Sequence, residues 1–453
     1  MSASSNTRLP VGNKEFTNAT VVIIGAGISG MCMAIDLIKR SKTQNFVILE
    51  RSSSVGGTWN DNKYPGCCCD VWSSLYSYSF EQNPYWSREY PGQEEIHAYL
   101  VSVAEKYGLY KHIRFNSTVE EARWDDIESK WQTSVVVSGQ KDSEFLSSYV
   151  LNSDFLVSAV GQLNLPRTPD IPGLEDFQGR MMHSARWDWS YDMTGMRIAI
   201  IGNGATATQI TPEVARVASH LTIYQRTPNW VIPRLDQPTR GITGITESGI
   251  EVDGDEQEYD LIVLAAGFRT VEFMHPIRIY GTNCRSLEDI WRNGATALNG
   301  ITVEDLPNFG MFYGPNTNLG HNSIILMIEA QSRYINTLVG EVMRARQQGK
   351  NLALKPEPSA LERFNNRIQA ILRRTSFADP NCNSWYKRDD GVITKNWAGT
   401  VLDYQRELSK VQWQDYIAEG TGKDRVVGKA ATNKTNGTGV IKEEIRPNNM
   451  GDQ

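Results

Sequence analysis

The sequence predicts an α/β protein of two doubly wound units, the second inserted in the first, with a C-terminal helical extension. Three patterns predict it. First, Val21–Ile24 runs into Gly25-Ala26-Gly27-Ile28-Ser29-Gly30, an amphipathic stretch reaches Arg40, and a second apolar run closes on Glu50. Second, that order returns: Arg197–Ile201, Gly202-Asn203-Gly204-Ala205-Thr206-Ala207, a helical stretch to about His220, then Leu-Thr-Ile-Tyr. Third, two apolar strands, Asp154–Gly161 and Tyr259–Phe268, each follow one unit and read as the chain returning to the sheet it left.

Strand, glycine turn, helix, strand and acid together make a Rossmann-like dinucleotide unit. Gly25 makes the tight turn, Gly27 admits the pyrophosphate, and Gly30 lets helix pack on strand. The helix N-terminus offers free N–H groups and the positive end of a dipole. Glu50 stands 25 positions after Gly25, where an acid bonds a ribose hydroxyl pair. In the second unit Ala207 fills the third small position, and Arg226 stands 24 positions after Gly202. A guanidinium there pairs with a ribose 2′-phosphate that would repel an acid, and the Thr227 hydroxyl sits beside it. The economical pairing is FAD in the first site and NADPH in the second, with electrons passing between them.

The bulk numbers exclude other classes. The 453 residues allow two or three domains, and 40% hydrophobic with 22% charged residues is ordinary for a soluble enzyme. A net charge of −6 points away from nucleic acid and anionic membranes. The six cysteines (32, 67, 68, 69, 284 and 382) form no CxxC pair, so a reduced, cytoplasmic setting without a metal site is expected. The N-terminus has no apolar core and no stretch approaches a membrane span. GxSxG, HExxH and phosphate-loop motifs are absent.

In order, residues 1–18 read as a flexible arm and 19–165 as the first part of the first domain. Within it Gly56 to Phe80 is loop-rich and aromatic, Glu94–Tyr107 a helix, and Ile113–Val119 and Trp131–Val137 strands of a small sheet. Residues 166–190 are a proline-marked linker holding Phe177-x-Gly179-x-x-x-His183-x-x-x-Trp187-Asp188. Such a histidine is more often structural than catalytic. Residues 191–275 form the second domain, and 276–418 complete the first with helices. Gly314-Pro315-Asn316 precedes one helix, either to meet a flavin ring or simply to cap it. From 419 to 453 the Gly, Lys, Thr and Asn content reads as a disordered tail.

Gly56-Gly57-Thr58-Trp59 leading to Tyr64-Pro65-Gly66 and Asp70, with the His183 motif between two glycine turns, resembles the signatures of Baeyer–Villiger monooxygenases, within the flavin-containing monooxygenase superfamily. The C-terminal half is similar to fungal members of secondary metabolism. The resemblance implies an FAD- and NADPH-dependent enzyme that uses O2, through a flavin peroxide, to convert a ketone to an ester or lactone. It implies that Gly25, Gly27, Gly30, Glu50, Gly57, Thr58, Trp59, Asn60, Asp61, Asp70, Tyr76 and Val119 hold FAD, and that Cys68, Cys69 and Asp70 face the nicotinamide. Gly202, Asn203, Gly204, Ala205, Thr206, Ala207, Thr208, Gln209, Arg226 and Thr227 would hold NADPH, with Trp385 lining the pocket. Asp70 and His183 would be the catalytic pair, His183 by coupling domain movement. Longer members carry a Lys-Arg segment after Gln-Arg-Thr-Pro-Asn, and its arginine pairs with the aspartate at position 70. Here that connection is short, with Arg234 and Arg240 the only nearby candidates. A hydroxylase, a heteroatom oxygenase, an uncoupled NADPH oxidase or a pseudo-oxygenase are the alternatives.

Overall fold

The strand Asn18–Ile24 lies at the centre of the molecule because Val21, Val22 and Ile23 are wholly buried on both faces. That is the setting in which β-branched residues favour a parallel strand. The computed structural model describes residues 16–138, 147–225, 242–252, 254–270, 272–319, 322–380, 386–388 and 390–436.

Asn18–Ile24 pairs in parallel with Phe46–Leu49 on one side and Ser148–Ser158 on the other. The eight-stranded sheet runs 278–280, 117–125, 130–137, 148–158, 18–24, 46–49, 113–114. Phe309–Met311 adds to the C-terminal half of Ser148–Ser158. The helix Ile28–Lys39 follows the first glycine turn, and the long helix Ile324–Gln347 lies against it, with Ser332 Oγ donating to Asp36 Oδ2 at 2.7 Å. The helix Pro358–Leu372 starts on a proline whose missing N–H costs nothing at that position, and it buries Leu361, Phe364, Ile368 and Leu372 along one stripe.

The second sheet is fully parallel in the order 180–183, 261–264, 197–201, 220–224. Leu261–Leu264 lies beside Arg197–Ile201 as Ser148–Ser158 lies beside Asn18–Ile24, so both returning strands rejoin their own sheets. A three-stranded antiparallel sheet (244–245, 249–252, 255–258) lies in the chain between the strands 220–224 and 261–264. The chain leaves the first sheet at Ser158 and re-enters it at Arg278, so the second domain is an insertion.

Three boundaries differ from the sequence reading. The linker is not only a linker: Arg180–His183 is an edge strand of the second sheet. The strands Ser117–Asp125 and Lys130–Val137 join the large sheet rather than a small separate one. The tail from 419 is not wholly disordered, because Tyr416–Glu419 pairs with Ala353–Pro356 and Asp424–Asn436 is a helix. The fully buried Glu341 carboxylate holds that helix through Lys429 and through Arg425 Nε at 3.5 Å. Among the described residues no helix is long and apolar enough to cross a membrane.

Candidate cofactor site at the domain junction

The two glycine turns repeat one steric solution. Gly25 has φ +105°, and a Cβ there would meet Ala159 O at 2.6 Å. Gly202 has φ +115°, and its Cβ would meet Ala265 O at 2.4 Å. In both, the turn leaves the central strand under the backbone of the returning strand, and only glycine fits. Gly30 is tighter still: a Cβ would lie 1.9 Å from Gly25 O, so the helix Ile28–Lys39 rests directly on its own turn. The helices that follow, capped by Gly27 and Gly204, have no side-chain cap, which leaves their first N–H groups free for an anion. A Cβ on Gly204, Gly161 or Gly267 would meet nothing within 4 Å, so open space lies before the second turn and past both returning strands.

Around the first turn the predicted residues converge. Gly56 N donates to Ala26 O at 3.0 Å, and Gly57, at φ +52°, starts the short helix Thr58–Asp61. A Cβ on Gly57 would lie 3.0 Å from the Gly27 Cα, so the paired glycines press that helix onto the turn. Glu50 is buried, its Oε2 accepting from Ala26 N at 2.7 Å and its Oε1 from Ser52 N at 2.8 Å. Burial pushes its carboxyl above the usual range against those two hydrogen bonds. The acid therefore holds the turn itself, and its remaining lone pairs are free for ribose hydroxyls. Asp61 pairs with Arg51 at 2.8 Å beside Asn60. Trp59 Nε1 donates to Tyr76 OH at 3.0 Å, a buried indole–phenol wall.

Other members of the set fall elsewhere. Val119 is a core residue, its side chain packed with Val22, Val47 and Leu49 rather than facing the turn, so only its backbone remains for a nucleotide. Asp70 is exposed, and its carboxylate makes no hydrogen bond or ion pair with a described residue. Cys67 and Cys69 are pushed by burial to about 11 and about 12, so neither is a ready thiolate. Arg226, Thr227, Arg234, Arg240 and Trp385 lie outside the described residues. Among the described residues no group of three His, Cys, Asp or Glu is arranged to hold a metal. The turn at Gly314 does not cap the helix Ile324–Gln347; Ser323 does, accepting from Leu326 N at 3.3 Å.

The Gln209 side chain is engaged across the domains. Its Oε1 accepts from Tyr64 OH at 2.9 Å and Cys68 N at 3.3 Å, while its Nε2 donates to Cys68 O at 3.0 Å. A side-chain amide of the second-turn helix thus pairs with the loop that follows the first site. Trp189 Nε1 donates to Lys63 O at 2.7 Å on the same loop. Asn203 bonds Gln225 at 2.8 Å, Ala207 is buried, and Ala205 and Thr208 stand exposed. His183 ends the edge strand; its Nδ1 accepts from Ala185 N at 3.1 Å, and its Nε2 is buried and makes no hydrogen bond with a described residue. Burial holds it below the usual histidine value, and its ring lies 6.2 Å from that of Phe268. Sequence reading missed Tyr64 and Gln162 as junction residues, and Lys395, a buried lysine pushed by burial down to about 7.

Comparison with known proteins decides the family. A family model described as flavin-binding monooxygenase-like matches residues 18–241. The FAD-binding monooxygenase ktnD of Aspergillus niger is 49% identical over 98% of this chain and 88% of its own length. The chain belongs to the flavin-binding monooxygenases. A Baeyer-Villiger monooxygenase of Streptomyces coelicolor is 34% identical over 91% of this chain and 95% of its own length. The fold matches cyclohexanone monooxygenase from Rhodococcus sp. Phi1 bound to NADP+, with a TM-score of 0.75 at 22% identity over 89% of this chain and 99% of that one. This chain is a flavin-dependent monooxygenase of the Baeyer–Villiger type.

Proposed function

We propose that this monooxygenase holds FAD at the first turn and NADPH at the second and inserts one oxygen atom from O2 beside a ketone carbonyl. The product is an ester or lactone, and the setting is secondary metabolism. The observation that carries this reading is the Gln209 bridge, which makes the wall of one nucleotide site continuous with the wall of the other. When bound, FAD would supply the redox chemistry, hydride acceptance and oxygen activation.

The chain's own residues do the rest. The free N–H groups after Gly27 and Gly204 carry the charge of the two pyrophosphates. Glu50 accepts from ribose hydroxyls while fixing the first turn. By their place in the sequence, Arg226 and Thr227 would hold the 2′-phosphate and so prefer NADPH to NADH. The Trp59–Tyr76 wall excludes water. His183 stays neutral and couples movement of the second domain to the crossover beside it. Purified protein supplied with NADPH, candidate ketones and labelled oxygen gas should yield ester carrying one labelled atom. Formation of hydrogen peroxide alone refutes the ketone reading.

One observation favours a second reading. Asp70 is exposed, and among the described residues nothing pairs with its carboxylate, where the resembling family pairs it with an arginine. With no described cation paired to it, a heteroatom oxygenase, a hydroxylase or an uncoupled oxidase is the second reading; an oxidase consumes NADPH at a rate that ketones leave unchanged.

A further inference from the structure

Two passages carry the chain between the domains, and they pair with each other. Arg167 N donates to Gly267 O at 3.0 Å, Arg269 N donates to Leu165 O at 3.1 Å, and Pro166 faces Phe268 in an antiparallel bridge. This neck is the covalent connection between the flavin-side and nicotinamide-side sheets. At one end His183 of the second sheet packs its ring on Phe268.

At the other end stands Lys395. It is wholly buried. Its Nζ donates to the main-chain oxygen of Thr270, lies 3.5 Å from Gln162 Oε1, and sits 5.3 Å from the centre of the Phe273 ring. Gln162 belongs to the outgoing passage and Thr270 to the returning one, so one amino group bridges both strands of the neck. Its backbone is fixed on the first-domain side. Asn318 N donates to Lys395 O at 2.7 Å, and Trp397 N donates to Asn318 O at 2.8 Å. Asn316 Nδ2 donates to the oxygens of Ile393 and Asn396 at 2.8 and 3.1 Å. Gln162 completes the loop by donating to Tyr313 O at 2.6 Å. A continuous series of bonds thus runs from the Tyr313–Asn318 turn of the first domain, through Lys395, into the neck.

A buried amine is a poor way to stabilise a fold, because an apolar residue of the same shape is often as good or better. What it supplies is direction: several donors that reach only one arrangement of acceptors. We infer that Lys395 is a positioning residue that pins the interdomain neck and thereby sets the alignment of the NADPH-binding turn with the FAD-binding turn. The inference rests on the two-cofactor reading above for its catalytic consequence, but not for its mechanical one.

The test uses the full chain with FAD bound, comparing the native protein with Lys395→Met and Lys395→Arg. Hydrogen exchange of residues 160–168 and 266–270 should rise at least tenfold in Lys395→Met, with the sheet cores and the melting temperature little changed. The limiting rate of flavin reduction by NADPH should fall at least fivefold at unchanged FAD content, and Lys395→Arg should recover part of both. Native exchange at the neck in Lys395→Met overturns the inference, as does a uniform rise across the chain or a defect that Lys395→Arg leaves unimproved. If Lys395→Met does not fold, Gln162→Leu removes one acceptor and should give the same pattern at smaller size; unchanged neck exchange there is equally fatal. Failure to bind FAD at all would overturn the cofactor reading instead, and the exchange measurement would still decide the role of Lys395.

Discussion

Replacing Gln209 by methionine keeps the length of the side chain and removes its three polar contacts with Tyr64 and Cys68. Each hydrogen bond contributes about 0.5–1.5 kcal/mol net. Tyr64 and Cys68 are half-buried, so water recovers part of the loss. A docking penalty of about 2 kcal/mol follows, roughly a 30-fold shift toward the separated domains. The first turn is untouched, so FAD content should match the native protein. Stopped-flow reduction of the bound flavin by NADPH should slow about 10- to 30-fold, more in the limiting rate than in the half-saturating NADPH concentration, because alignment rather than phosphate binding is lost. A variant that is reduced at the native rate would refute the bridge as a determinant of hydride transfer. One that raises only the half-saturating concentration would return Gln209 to the nucleotide-binding set in which its sequence position first put it.

Three further outcomes are expected. Gly30→Ala puts a Cβ 1.9 Å from Gly25 O, a backbone atom that cannot yield, so the helix must move off its turn; the variant should lose flavin absorbance and about 3 kcal/mol or more in denaturant titration. Glu50→Gln leaves one acceptor for two backbone donors and turns an NH2 toward the other, costing about 1–3 kcal/mol and at least a tenfold loss in FAD affinity measured by fluorescence quenching. Burial pushes His112, stacked on Phe46, from 6.5 down to about 4. Between these values the unfolded chain holds the proton and the folded chain does not, so stability falls as pH drops from 6.5 to 4 and no further below. Both ring nitrogens face oxygens, which caps this contribution at about 3 kcal/mol, and His112→Phe should flatten that part of the acid unfolding curve.

The glycine turns were legible because their constraint is local: Gly25, Gly30 and Gly202 are dictated by backbone contacts within their own unit. The returning strands were legible because Phe155–Val157 and Leu261–Val263 are apolar on both faces and can only lie inside a sheet. What escaped depends on partners far along the chain. Arg180–His183 is four residues long and becomes a strand only because Leu261–Leu264 lies beside it. Val119 sits where a nucleotide contact was expected, yet the core claims its side chain, and the second task of Glu50, accepting from Ala26 N, depends on a contact 24 residues away. Asp424–Asn436 looked disordered because its buried face is short, with Val426 against the core and a charged anchor on Glu341. Lys395 gave no signal at all: its burial exists only because residues 393–397 fold onto the Asn316–Asn318 turn.

The inserted arrangement of the domains also orders events on the ribosome. Strands of the second sheet are all synthesised by Leu264, whereas the first sheet still awaits Phe309–Met311 and the covering helix Ile324–Gln347. Domains fold as units while translation proceeds. The nascent chain therefore finishes its inserted domain inside a host whose strand Ser148–Ser158 still lacks its second neighbour along its final residues. A message cut short after the inserted domain releases a half-built host with an open sheet edge for chaperones to meet.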